Sequence, residues 1–229
     1  MKKTIFCVPL LLLSLYSISQ ECYTMKMNVK TEGLPPEYAA YGEQDIITYI
    51  KGDKSKTEVS GMMFNTTVYY DGKQMTSVSD AMGNKSGFTA TKEELEADDN
   101  KKQSKPTIEY TSEKRQIAGY ECTKAIVTTK GEDGKEQRII TWVTDKIKAN
   151  PGHRSASRSG MADLGDLKGT PLAMEMNRNY QGSEMKMVMT TTEVLTNPLD
   201  DSIFKVNTDG YTMMSYKEMK EKSKAMKGH

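Results

Sequence analysis

Thioether sulfur is the chemistry this chain carries in quantity. It has 17 methionines in 229 residues. Several stand two apart: Met25 and Met27, Met174 and Met176, and Met185, Met187 and Met189. Side chains two residues apart share one face of a β-strand. Each set therefore gathers its sulfurs on one side and leaves Lys26, Glu175, Lys186 and Val188 on the other. Thioethers in such an array have three uses. They fill irregular gaps in a core, or they line a hollow that repacks around a lipid-like or hydrophobic peptide ligand. They also chelate copper(I), a soft ion, in oxidising compartments. These seven methionines and Trp142, the single tryptophan, form the candidate ligand-binding set.

Groups for catalysis are scarce. The two histidines are His153, in a Pro-Gly-His-Arg loop, and His229, the last residue. Neither belongs to a nucleophile elbow or a His-Glu-x-x-His helix. No glycine loop opens a helix to cradle phosphate. Asp98-Asp99 and Asp200-Asp201 supply too few oxygens at the wrong spacing for a calcium loop, and read as a helix end and a turn. Arg154 and Arg158 could meet an anionic head group, or simply be solvated. No enzymatic activity, resident cofactor or metal site is expected.

The chain opens with Met-Lys-Lys, an apolar run over 4–15, and small residues Ser17 and Ser19. That is the form of a secretory signal peptide over 1–19, cleaved after Ser19, which makes the protein periplasmic or secreted. Glu21 before Cys22 fits a lipid-anchor site poorly. Cys7 leaves with the signal, so Cys22 and Cys122 remain: a candidate disulfide in an oxidising compartment, or two separate buried thiols. Charge is nearly balanced, with 32 Lys and Arg against 31 Asp and Glu. A nucleic-acid partner would want a basic excess. No later run reaches the eighteen or so apolar residues of a membrane helix. Residues 20–229 read as one domain.

The elements that must position these side chains are mostly strands. Cys22–Lys30 alternates cleanly, with Tyr23, Met25, Met27 and Val29 on one face. Further strands are predicted over 44–51, 55–60, 66–70, 73–78, 108–117, 172–180 and 183–194. Two β-branched runs flank Gly131-Glu132-Asp133-Gly134 within 119–145, and the pair is predicted to form the central hairpin of the sheet. Thr91–Glu94 and Ser215–Glu218 are capping boxes that open two short helices. Roughly nine to eleven strands joined by hairpins make one large curved antiparallel sheet, too large to stay flat.

The run Gly119-Tyr120-Glu121-Cys122-Thr123-Lys124-Ala125, then Thr141-Trp142-Val143-Thr144, resembles an exported bacterial domain-of-unknown-function family related to the GLPGLI proteins. Gly169–Met176, Asp201-Ser202-Ile203-Phe204 and Gly210-Tyr211 continue the resemblance in order, over about 22–214. Thr170 and Asn207-Thr208 depart from the family pattern. The resemblance implies a lipoprotein-carrier-like fold: an unclosed half-barrel with a helical lid over an apolar hollow. By analogy it implies a bound lipid or other hydrophobic ligand. The alternatives are a methionine-based copper(I)-handling protein and a structural or interaction domain with a filled core.

Overall fold

A computed structural model of the chain describes residues 21–99, 105–130, 136–147, 164, 166–180 and 183–227. The proposed leader, the 131–134 loop, His153, Arg154, Arg158 and His229 lie outside them. The described strands are β1 (Cys22–Glu32), β2 (Glu43–Lys51), β3 (Lys54–Gly61), β4 (Phe64–Tyr70), β5 (Gln74–Ala81) and β6 (Asn84–Thr91). After helix α1 (Lys92–Asp99) come β7 (Thr107–Ile117), β8 (Tyr120–Lys130), β9 (Glu136–Thr144), β10 (Thr170–Tyr180) and β11 (Ser183–Leu195). The chain closes with β12 (Thr212–Ser215) and helix α2 (Tyr216–Lys227).

All twelve strands join one sheet, in the order β12-β6-β5-β4-β3-β2-β1-β11-β10-β9-β8-β7. Its two edges, β12 and β7, are not paired with each other, so the sheet is an unclosed half-barrel. Neighbours are antiparallel except β12, which lies parallel to β6. Each edge is guarded against pairing with another chain. β12 is only four residues long. β7 carries Glu109, Glu113, Lys114 and Arg115 and is broken by an irregularity between Tyr110 and Lys114.

Two expectations change. The β8–β9 hairpin is not central: β8 is next to the edge, and β1 and β2 hold the middle. Its aromatic, β-branched composition reflects burial on both faces, with Cys122 on one and Ala125 on the other, each 0% exposed. Strands β6 and β12 were also not predicted. β6 begins Asn-Lys-Ser-Gly, a turn-like composition, and is recruited by a ladder with β5 from Gln74↔Thr91 to Ala81↔Asn84.

Alternation and register define an inner face, carrying Met25, Val29, Ile46, Val127, Ile139 and Met174, all buried. Both capping boxes form. Thr91 N donates to Glu94 Oε2 (2.8 Å), and Glu94 N donates back to Thr91 Oγ1 (3.2 Å). Ser215 N donates to Glu218 Oε2 (2.7 Å), answered by Glu218 N to Ser215 Oγ (3.3 Å). The helices bring Leu95 and Tyr216 onto Val68, Tyr70, Met75 and Ala90. The lid therefore covers the β4–β6 part of the inner face and leaves the methionine strands to another cover.

The connection from β11 to β12 crosses the sheet on the outer face, where lysines hold it. Lys51 Nζ donates to Leu199 O (2.9 Å) and pairs with Asp201 (3.1 Å). Lys54 reaches the same carboxylate (3.5 Å), and Lys85 lies over the Tyr211 ring (5.8 Å).

Candidate functional site

Three adjacent strands, β10, β11 and β1, bring the seven methionines to one face. Met174 stands opposite Met189, and Met176 opposite Met187, across β10 and β11. Met25 faces Val194 and Met27 faces Thr191 across β11 and β1. Met185 lies on the same side of β11, opposite Arg178. Met25, Met174, Met176 and Met189 are buried, and Met27, Met185 and Met187 are half-buried. The sequence spacing put each set on one side of its strand; the register puts the sets side by side.

Those thioethers do not face an open trough. Met174, Met176 and Met189 belong to one apolar cluster with Val29, Ile46, Val127, Ile139 and Leu167. Leu167 is 1% exposed, and Leu164 and Met187 pack on the margin. Two leucines from the segment before β10 thus cover this part of the sheet, where a sandwich would place a second sheet.

One buried polar atom on this face lacks a partner among the described residues. Thr191 is 2% exposed, and its Oγ1 has no hydrogen-bond partner. It sits at a bulge in the β1–β11 ladder, where the pairing steps from Lys26↔Glu193 to Met27↔Thr191. A second irregularity lies in β10, between Pro171 and Ala173. Other buried hydroxyls are satisfied: Thr141 Oγ1 donates to Ala173 O (3.1 Å) and Thr170 Oγ1 to Ile147 O (2.7 Å). Leaving a buried hydroxyl unpaired costs about 1–3 kcal/mol. The sequence offered no signal for it. Thr190, Thr191 and Thr192 are equivalent until the bulge decides which one points inward.

Trp142 stands apart from Met174, Met176 and Met189 but packs at the margin of a second apolar cluster that includes Met25, Cys122, Leu172 and Ala173. Met174 pairs with Thr141, so Trp142 alternates away from Met174 and stands opposite Ala173, with Arg115 over its ring (5.9 Å). The Cys22–Cys122 disulfide is not formed. Three strands separate β1 from β8, roughly 19 Å along the sheet at 4.8 Å per step, whereas a disulfide needs Cα atoms within about 7 Å. Cys122 donates its thiol to Tyr120 O (3.6 Å). Burial pushes that thiol up, against a smaller opposing pull from Arg115.

Among the described residues no group of three His, Cys, Asp or Glu could hold a metal ion, and no helix is long and apolar enough to cross a membrane. A recess of about 260 Å³ opens beside Asn28, Asp45, Ser60 and Met62, on the outer face. It is polar, and Asn28 Nδ2 already donates to Asp45 Oδ1 (3.2 Å).

The fold and the inner face define a class: an open, methionine-lined β half-barrel. Known structures align with it to different degrees. PNGF-II, in one of its crystal forms, aligns with a TM-score of 0.50 at 21% identity, over 88% of this chain and 33% of that one. This chain thus spans about a third of the length of PNGF-II, and the likeness is one of fold. MucB aligns at a TM-score of 0.37 and 10% identity, over 83% of this chain and 59% of its own. The Mycobacterium tuberculosis lipoprotein LppX aligns at 0.33 and 11%, over 81% and 89%. No protein-family model matches the chain, so the likeness to GLPGLI-related proteins rests on the sequence motifs alone. No curated protein matches it either.

Proposed function

We propose that the protein is an exported, non-enzymatic carrier whose methionine face takes up a lipid-like or other hydrophobic ligand. The ligand lies along Met25, Met27, Met174, Met176, Met185, Met187 and Met189 and displaces the Leu164/Leu167 cover. One observation carries this reading: Thr191 Oγ1, an unpartnered hydroxyl buried within a thioether face. An ester, carboxyl or hydroxyl oxygen on an otherwise apolar molecule would satisfy it, and the flexible thioethers would adapt to the rest. The resemblance to carrier-like families agrees with the reading. Copper(I) handling has no such observation, because the thioethers are packed against aliphatic side chains.

A second reading has one observation of its own. Met174, Met176 and Leu167 are each 1% exposed, as in a finished core. Native mass spectrometry of the protein purified gently from its own host separates the two. A mass that leaves on denaturation and fragments as lipid establishes the carrier reading. A bare mass, with no binding of added fatty acid or phospholipid probes, establishes the filled core.

A further inference from the structure

Two hairpins that lie side by side end in methionine where turns ordinarily carry Asn, Asp or Gly. β3 and β4 are joined by Met62-Met63, and β5 and β6 by Met82-Gly83. Met82 N donates to Met63 O (3.1 Å), which locks the two tips into one ledge. Met62 is 68% exposed and Met82 74%. Beside them the connection between β1 and β2 exposes Tyr38 and Tyr41, whose rings lie 6.0 Å apart.

Met82 is the telling residue. It holds φ 54° and Gly83 φ 85°, a turn with both central residues left-handed. A non-glycine side chain costs roughly 1–2 kcal/mol there. Ala118-Gly119 adopts the same turn, with φ 48° and 85°. Ala118 offsets the strain by packing on Ile117 and its cluster, whereas Met82 points into water. A strained, exposed, apolar residue has no reason in the fold, and strain kept without a structural return points to function.

We propose that this ledge docks the protein on a neutral lipid bilayer, with Met62, Met63 and Met82 entering the boundary between head groups and acyl chains. Shape and charge choose this partner. The side chains project singly from narrow turns, as insertion into a soft interface requires, instead of forming the flat patch of a protein interface. At the strand ends that bear these turns Lys30 pairs with Glu43 (3.3 Å) and Lys85 stands opposite Asp80, with Glu37 in the neighbouring connection, so there is no basic excess. An anionic surface is not complementary, and the attraction is apolar. Docking goes beyond the ligand reading and holds whether or not the inner face carries a ligand.

The test is flotation of the purified protein, as its host makes it, with phosphatidylcholine vesicles, beside the triple variant Met62→Ser, Met63→Ser, Met82→Asn. Asparagine tolerates the left-handed turn, so the variant melts no lower than the parent. The parent floats, equally well in high salt and with no gain from added phosphatidylglycerol, while the variant partitions roughly tenfold or more weakly. Failure of the parent to float, equal flotation of the variant, or binding that needs anionic lipid overturns the proposal. So does a change from dimer to monomer in the variant, which would make a second copy the partner. Fatty-acid binding on the same samples reads the inner face separately.

Discussion

Thr191→Val tests the inner face most directly. The hydroxyl is 2% exposed and unpartnered, and valine replaces it with a methyl of nearly the same size. An unsatisfied buried hydroxyl costs about 1–3 kcal/mol, and most of that returns when it is removed. The ligand-free variant should therefore be more stable by about 1–2 kcal/mol. For a domain of this size each kcal/mol moves Tm by roughly 2–4 °C, giving a rise of roughly 2–8 °C. Thr141→Val is the control. Its Oγ1 donates to Ala173 O, so the same change should cost about 1 kcal/mol. Urea unfolding followed by Trp142 fluorescence measures both. With a lipid probe bound through an oxygen, the sign at Thr191 should reverse: the parent gains more from the ligand than the variant does. A ligand-free Thr191→Val that is destabilised as much as Thr141→Val would refute the reasoning, because the hydroxyl would then have a partner in the native protein.

Other outcomes follow from the same geometry. Met176→Ala, at a site 1% exposed within the main cluster, should cost about 2–5 kcal/mol in urea unfolding. Gly169→Ala should destabilise by roughly 2 kcal/mol or more in the same assay, since Gly169 holds φ 88° and an added Cβ would meet Thr144 O at 2.7 Å. Trp142→Phe should change hydrophobic-ligand affinity far less than Met176→Ala does in a displacement titration, because the ring alternates away from Met174 and Met176. Glu218 is held below the usual carboxylate range by the backbone N–H and then the hydroxyl of Ser215. Its contribution is present above the unfolded carboxylate pKa and is lost as pH falls through the lower folded value. The Ser215 amide should therefore lose its protection in acid, as followed by NMR, and Glu218→Gln should flatten that profile.

Local sequence determined the strands and their faces, because alternation at period two needs no partner to be read. Tyr23, Met25 and Val29 point inward as Cys22–Lys30 predicts. The two capping boxes likewise act within four residues, and they formed where Thr91–Glu94 and Ser215–Glu218 place them. Three features depended on the fold as a whole. Strand order is a long-range property, so the Trp-bearing hairpin could be recognised but not located, and the two cysteines could be counted but not measured apart. Weak strands such as β6 exist because a neighbour offers an unpaired ladder, which composition does not record. The inward turn of Thr191, alone of three successive threonines, is set by a bulge against β1, and a one-residue slip in register exchanges the two faces. The material of the methionine face was therefore legible in the sequence, while its assembly, its leucine cover and its single unpaired hydroxyl belong to the tertiary structure.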